Sequence, residues 1–154
     1  MRWLYTIFIR FYGFVARLAA LRSAKAKAFV NGRREFPVSL FQDDKPWFWF
    51  HAASLGEFEQ GRPVIEDVKA MFPDVRILLS FFSPSGYEIR KDYDLADQVI
   101  YMPLDTLANA RKLLENFNIK AAFFIKYEFW FNHLKVLQQK GIPVFYFSVR
   151  FRDN

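Results

Sequence analysis

Cysteine is absent from this 154-residue sequence, and histidine is scarce. Without a thiol the chain has no disulfide framework and no thiolate chemistry, which is common in reducing compartments. The sequence has two histidines. His51 closes an aromatic run, and His133 lies within a helical pattern, so we expect both to be satisfied structural residues. No histidine or carboxylate cluster has metal-ligand spacing, and we therefore expect no bound metal.

Acidic residues are absent from the first 34 positions, since the first carboxylate belongs to Glu35. This segment carries +8, while the formal total is +6, so the rest of the chain sums to −2. A nucleic-acid groove would spread Lys and Arg across a domain face. The concentration of charge at one end argues against nucleic acid as a partner.

A long uncharged apolar run is also missing, because two arginines interrupt the apolar residues 3–21. A membrane span needs about 20 largely uncharged residues. Five residues share one stripe of the predicted helix: Arg2, Thr6, Arg10, Gly13 and Arg17. A narrow basic stripe opposite a wide apolar face is typical of a helix in the membrane interface. We therefore predict that residues 1–35 form a membrane-associating segment.

Two other interpretations of this N-terminal segment stay open. It could be a terminal helix packed onto its own domain, or a cleaved signal peptide with Ala24-Lys25-Ala26 at the cleavage site. The arginines within the apolar region disfavour the signal peptide. The positive charge favours, weakly, the cytoplasmic face of the membrane.

From residue 46 onward, short apolar runs alternate with segments of helical periodicity. The predicted strands cover residues 47–51, 75–82, 98–102, 121–125 and 143–149. The predicted helices cover residues 57–71, 87–93, 107–117 and 129–139, and Pro63 predicts a late start or a kink in the first of them. This alternation indicates an α/β fold in residues 46–154, a Rossmann-like parallel sheet flanked by helices and preceded by the amphipathic helix.

In such sheets ligands bind beyond the carboxyl ends of the strands. After the first predicted strand come Ser54, Gly56 and Glu57. Free amides at a helix start favour an anionic group, and a glycine permits close approach of the backbone. Ser54 and Glu57 also have capping-box spacing, so Glu57 is either a cap or a functional carboxylate. The glycine spacing does not fit a phosphate-binding Walker loop.

The later strand ends carry weaker signals. Ser83-Pro84-Ser85-Gly86 offers two hydroxyls but is also an ordinary helix-capping turn. Asp105 is more often a cap than a catalyst. Glu128 follows an apolar strand, so its carboxylate is either paired, with Lys126 for example, or functional.

Taken together, these segments resemble the 3-deoxy-D-manno-octulosonic acid (Kdo) transferase family. The family's His-Ala-Ala-Ser-Val-Gly-Glu motif is similar to His51–Glu57, and its Thr-Pro-Thr-Gly is similar to Ser83–Gly86. Its Pro-Leu-Asp element is present at Pro103–Asp105, and its Glu-x-Glu-x-Trp-Pro-Asn resembles Lys126–Asn132. Gly32–Glu35 is similar to the basic element that follows the family's membrane anchor. Lysine replaces the first glutamate of the fourth motif, and phenylalanine replaces its proline.

The resemblance implies the N-terminal, acceptor-binding half of a GT-B glycosyltransferase. Such an enzyme transfers Kdo, with inversion, from the donor substrate CMP-Kdo to a lipid A precursor at the inner membrane, without a further cofactor. By this likeness Glu57 is the general base. The implied substrate-binding residues are Ser54, Gly56, Ser83, Ser85, Gly86 and Glu128. Most of the donor site is expected in a C-terminal domain that this chain lacks, so the fragment is expected to be inactive alone.

Two functions from other classes compete with this one. A stand-alone flavodoxin-like or response-regulator-like domain would need an acidic cluster or a phosphate-binding loop after the first strand, and residues 52–56 supply neither. A non-catalytic membrane-tethered adaptor would use only the N-terminal helix and an exposed apolar face.

Overall fold

The computed structural model describes residues 2–41 and 43–148. Its five strands are β1 (Trp47–Ala52), β2 (Arg76–Phe81), β3 (Gln98–Tyr101), β4 (Ile119–Ile125) and β5 (Val144–Phe147). Its six helices are α1 (Arg2–Ala19), α2 (Ala24–Asn31), α3 (Leu55–Met71), α4 (Pro84–Arg90), α5 (Leu107–Asn116) and α6 (Phe131–Gln139).

The strands form one parallel sheet in the order β3-β2-β1-β4-β5, which confirms the predicted Rossmann-like α/β fold. β1 is central, and its neighbours β2 and β4 run beside it along most of its length. All five carboxyl ends therefore lie at one edge of the sheet, where the chain crosses to the next helix. Polar residues that follow β1 and β4 are brought side by side there.

Both faces of the sheet are covered, as its apolar strands require. On one face the tryptophans of β1 pack with residues of α5 and α6, for example Leu113 and Leu137. On the other face Phe50 packs with α3 through Phe58 and Ile65. Alternate residues of β1 serve the two faces, which follows from the two-residue period of a strand.

Several element boundaries differ from the sequence predictions. α3 begins at Leu55 and contains Pro63, which is exposed, so the missing backbone hydrogen bond lies on the solvent side. α4 begins at Pro84, because proline is well suited to the first turn of a helix, and it ends at Arg90, not residue 93. The short helix α2 was not predicted. The end of the predicted last strand, residue 149, lies outside the described residues.

α1 is helical as predicted, and it also packs on the domain, as the first alternative interpretation proposed. Its packing stripe is narrow and includes the buried Ile9 and Gly13. A Cβ at Gly13 would lie 2.7 Å from the Leu104 side chain, so this glycine allows close approach. The opposite side exposes large apolar residues: Trp3, Leu4, Ile7, Phe8, Phe11, Phe14, Val15 and Leu18. None of the helices in the described residues is long and apolar enough to cross a membrane.

Candidate functional site

Glu57 lies in the first turn of α3, beside the carboxyl end of β1. Its Oε2 accepts a hydrogen bond of 2.6 Å from the backbone N–H of Ala53. Ser54 is the N-cap residue, but its hydroxyl makes no capping bond. Only the carboxylate half of the capping box is therefore formed, and the Ser54 hydroxyl is left available for another partner.

The environment of Glu57 raises the pKa of its carboxyl above the ordinary glutamate value. Partial burial is the main cause, and the N–H of Ala53 opposes it. The negative charge of Glu128 raises this pKa further, whereas the positive charge of Lys126 lowers it. The structure thus brings together residues from two neighbouring strand ends, as the parallel topology predicts.

The segment after β4 supplies the second carboxylate. Lys126 has a φ of +63°, a left-handed backbone conformation that is uncommon for a residue with a side chain. Within the described residues Glu128 forms no ion pair with Lys126. Its Oε2 instead lies 3.5 Å from Nε2 of His51. The alternative that Glu128 pairs with Lys126 is therefore wrong.

The expectation of satisfied structural histidines is wrong for both histidines, because the Nε2 atom of each is buried without a hydrogen-bond partner among the described residues. His51 is fully buried. Its Nδ1 lies 2.8 Å from Ser80 Oγ, whereas its Nε2 has no hydrogen-bond partner among the described residues. The 3.5 Å approach to Glu128 is too long for a formed hydrogen bond. Burial lowers the pKa of His51, and the nearby negative charge of Glu128 acts in the opposite direction. The imidazole is therefore neutral near pH 7.

The turn after β2 places two hydroxyls at the same edge of the sheet. Ser83 is the N-cap of α4, and its Oγ accepts from the N–H of Ser85 at 3.3 Å. The two Oγ atoms lie 3.0 Å apart. A 2.8 Å bond from Ser83 N to the carbonyl of Ala53 ties this turn to the end of β1. The turn therefore caps α4, as the alternative interpretation proposed, and it also lies next to the segment that carries Glu57.

The two glycines of the predicted site have different surroundings. A Cβ at Gly86 would lie 2.2 Å from the ring of Phe81, so packing inside the domain requires this glycine. A Cβ at Gly56 would meet no atom within 4 Å. Nothing in the described residues requires a glycine at position 56, so this position is open to a group from outside the domain.

Asp105 is a structural residue, and its hydrogen-bond partners differ from those of Glu57. Its carboxylate accepts bonds of 3.0 Å from the backbone N–H groups of Asn132 and His133, and of 2.6 Å from Tyr5 Oη and His133 Nδ1. Burial by itself would raise the pKa of this carboxyl, but His133 and the other donors outweigh it and lower the pKa. Asp105 caps α6 from a distance, while Thr106 caps α5.

Arg33 has a role that the sequence patterns did not reveal. Its guanidinium donates hydrogen bonds to the carbonyls of Phe29, Phe82 and Met102 at 2.6–3.0 Å. It thereby fixes the end of α2 to the ends of β2 and β3. Burial lowers its pKa to about 10. The signal was the basic Gly32–Glu35 element, which was noted only as a likeness.

Metal ligation finds no support in the described part of the chain. Among residues 2–41 and 43–148, no group of three or more His, Asp or Glu side chains could hold an ion. The polar groups at the strand ends are instead carboxylates, hydroxyls, a lysine and a buried imidazole. Such a set can accept a proton and bind hydroxyl groups.

Several known proteins with similar sequences carry the same family name. A family profile described as 3-deoxy-D-manno-octulosonic-acid transferase (kdotransferase) matches residues 17–154. Proteins named 3-deoxy-D-manno-octulosonic acid transferase from Aquifex aeolicus and Rickettsia felis are 32% and 27% identical over 64% and 74% of this chain. A protein of the same name from Chlamydia muridarum is 25% identical over 71%.

The matched regions cover 27%, 25% and 26% of these three relatives, so the chain spans about a quarter of their length. The parallel sheet with flanking helices is consistent with the N-terminal half of a GT-B fold. Because the family profile extends over most of the sequence, the chain belongs to the 3-deoxy-D-manno-octulosonic-acid (Kdo) transferase family.

Proposed function

We propose that this chain is the acceptor-binding half of an inverting glycosyltransferase that transfers Kdo from CMP-Kdo to a lipid A precursor in lipopolysaccharide core synthesis. The proposal rests on the family and on one observation, the position of Glu57. Its half-buried carboxylate lies at the carboxyl edge of the sheet, with a raised pKa. Ligands bind at this edge of a parallel sheet, and a carboxylate of this kind can act as the base that the reaction requires.

The proposed step balances around the proton of one acceptor hydroxyl. The hydroxyl oxygen forms a bond to the anomeric carbon of Kdo as the bond from that carbon to the CMP phosphate oxygen breaks. The Glu57 carboxylate takes the hydroxyl proton, and CMP departs with the bonding electron pair. CMP is a good leaving group, so no strong acid partner is needed. Attack opposite the leaving group inverts the anomeric centre.

Glu57 is oriented for this step by the backbone. The N–H of Ala53 binds Oε2, which fixes the carboxylate while its second oxygen stays free of hydrogen bonds from side chains of the described residues. The raised pKa gives the carboxylate more basicity than an ordinary glutamate has. A base in this state suits a hydroxyl proton that leaves as the new bond forms.

Further residues at the same edge are proposed to line the acceptor cleft: Ser54, Gly56, Ser83, Ser85, Gly86 and Glu128. Ser54 and Glu128 offer polar groups near Glu57, and the open surface at Gly56 admits a sugar close to the backbone. Gly86 acts through the shape of its turn. Lys126 adds a positive charge near Glu57, where it favours the ionised base.

α1 is proposed to hold this site at the cytoplasmic face of the inner membrane. Its outward apolar face fits the acyl region of a lipid surface, and the exposed Arg10 and Arg17 suit anionic headgroups. A cavity of about 450 Å³ between α1 and α2 is lined mostly by apolar residues such as Val15, and its lining includes Ser83 and Pro84. It supports an acyl-bearing acceptor that reaches the strand ends from the membrane side.

Transfer requires the donor as well, and the donor is proposed to bind a second domain. The test is an assay on a protein in which this chain is joined to that domain, called here the two-domain protein. Purified two-domain protein should convert a lipid A precursor to a Kdo-bearing product and release CMP, as measured by mass spectrometry. The 154-residue chain alone should transfer no Kdo, because only one reactant is positioned. An unmodified acceptor with the two-domain protein would contradict the proposal, and transfer by the short chain would contradict the two-domain assignment.

Membrane association is tested separately with vesicles. Removing residues 1–22 should weaken binding of the chain to anionic vesicles, and added salt should weaken binding of the intact chain. A sharper variant replaces the exposed Phe8 and Phe11 with serine and leaves the packing stripe intact. Ile89→Ser, at an exposed apolar position on α4, is the matched control and should bind like the unmodified chain. Salt-independent binding, or equal loss in the control, would contradict the role of α1.

A further inference from the structure

Behind the proposed base, a buried chain of polar side chains runs from the core to Glu128. Trp49 Nε1 donates to Ser80 Oγ at 2.8 Å, and Ser80 Oγ lies 2.8 Å from His51 Nδ1. His51 Nε2 then faces Glu128 Oε2 at 3.5 Å. Trp49, Ser80 and His51 are all 0% exposed. Each therefore needs its hydrogen bonds from within the protein.

The direction of these bonds determines which imidazole nitrogen carries the proton. An indole N–H can only donate, so the bond from Trp49 occupies an acceptor position of Ser80. Ser80 has one proton left to give, either to His51 Nδ1 at 2.8 Å or to the Phe50 carbonyl at 3.4 Å. The shorter contact is the stronger acceptor site. Nδ1 is then the bare nitrogen, and the neutral ring carries its proton on Nε2.

The opposite tautomer is disfavoured at both ends of the ring. With the proton on Nδ1, the Ser80 hydroxyl would be left with the distant Phe50 carbonyl. The lone pair of Nε2 would face the Glu128 carboxylate, so that two acceptors would stand opposed in a buried space. A charged ring is disfavoured as well, because burial lowers the pKa of His51.

The ring has little freedom to reorient. It packs edge-on against Phe124 at 5.8 Å and against Trp130 at 5.7 Å between ring centroids. Nε2 is buried without a hydrogen-bond partner in the described residues, although a carboxylate oxygen lies just beyond bonding distance. A small movement of Glu128 toward His51 would form that bond. Donor–acceptor contacts that are long in an unliganded site commonly tighten when substrate binds.

We infer that His51 is a positioning residue, a fixed neutral Nε2–H donor that orients the Glu128 carboxylate at the lip of the acceptor cleft. This role rests on the proposed function for its use in catalysis, but the tautomer itself does not. His51 is fully buried, so it acts through Glu128 and does not touch the substrate. Ser80 and Trp49, on the buried side of the imidazole ring, determine its tautomer.

The tautomer is measured directly on the 154-residue chain by ¹⁵N NMR of the imidazole nitrogens at pH 7. The expected spectrum shows an unprotonated Nδ1 and a protonated Nε2 for His51. Ser80→Ala should introduce the Nδ1-protonated form, and Glu128→Gln should shift the Hε2 resonance. An Nδ1-protonated or charged ring in the unmodified chain would overturn the inference, whether or not the protein transfers Kdo.

The orienting role is measured on the two-domain protein. His51→Leu removes the donor and should lower kcat by about 10–100-fold, the range typical when a partner that orients a metal-ligating side chain is lost. His51→Gln retains an N–H donor at similar reach and should recover most of that loss. Equal activity of the two variants, at matched thermal stability, would overturn the orienting role. An unmodified two-domain protein without transfer would instead count against the proposed function, and the NMR result would still decide the tautomer.

Discussion

Two carboxylates follow strands of the same sheet, yet their surroundings differ in kind. Asp105, after β3, is fully buried and accepts bonds from two backbone N–H groups, a tyrosine hydroxyl and His133. Glu57, after β1, is half-buried and accepts one short bond from a backbone N–H. The pKa of Asp105 is lowered, whereas that of Glu57 is raised.

The difference separates a structural carboxylate from one suited to proton transfer. Donors directed at Asp105 stabilise its charged form, so the group stays ionised and holds α1 and α6 to the sheet. Glu57 has few donors and lies near a second carboxylate, so its charged form is less stable and takes up a proton more readily. Position after a strand alone does not distinguish the two roles.

The largest expected effect concerns Glu57. In the two-domain protein, Glu57→Gln should lower turnover by roughly 10²–10⁴-fold with acceptor affinity little changed, because the amide keeps the shape and cannot take a proton. Initial rates at saturating acceptor measure this change. The folded structure should remain, since glutamine can still accept from the Ala53 N–H. Near-normal turnover would return Glu57 to a capping role.

Asp105→Asn should lower the free energy of unfolding, because Asp105 has a structural role and no catalytic one. The buried Asp105 carboxylate accepts four hydrogen bonds, and loss of a hydrogen bond to a charged group costs about 1.5–3 kcal/mol, which urea unfolding at pH 7 would detect. The lowered pKa of Asp105 means that this contribution is complete above about pH 4, the ordinary aspartate range, and is lost as pH falls toward the lowered value. Glu66→Gln, at an exposed ion pair with Arg62, is the control and should cost under about 1 kcal/mol. Equal losses in the two variants would contradict the structural role of Asp105.

Sequence patterns predicted the fold and the edge at which the candidate site lies. Alternating apolar runs and helical periods are local signals, and the parallel topology then places the segments after β1 and β4 together. Glu57, Glu128 and the Ser83 turn were predicted in this way. Their proximity follows from the topology alone.

Long-range polar contacts could not be predicted from those patterns. Asp105 bonds to Tyr5 across 100 positions and to His133 across 28, and no local period reports such a pairing. The contact of His51 with Ser80 depends on the register between β1 and β2. The short helix α2 has a weak apolar pattern, so its sequence alone did not indicate a helix. Its end is held by the Arg33 side chain, which is a tertiary contact.

Substitution of two glycines of the candidate site, Gly56 and Gly86, is expected to have smaller effects, and these are on the free energy of unfolding. Gly86→Ala should lower the free energy of unfolding by about 1–3 kcal/mol, because its methyl group would overlap the ring of Phe81. Gly56→Ala should leave stability unchanged or raise it by up to about 1 kcal/mol, since the new methyl group meets nothing within the domain and alanine favours a helix. Thermal and urea unfolding of the two variants provide the comparison. A stability loss at position 56 as large as that at position 86 would show that the domain itself requires this glycine.

The most direct test of the division between the two carboxylates is their titration in the intact 154-residue chain. ¹³C NMR of the side-chain carboxyl groups, assigned with Glu57→Gln and Asp105→Asn, gives the midpoint of each. The midpoint for Glu57 is expected above the ordinary glutamate value, and Lys126→Met should move it higher because a nearby positive charge is removed. The midpoint for Asp105 is expected below the ordinary aspartate value. A Glu57 carboxyl that titrates at or below the ordinary value, and does not respond to Lys126→Met, would contradict the account.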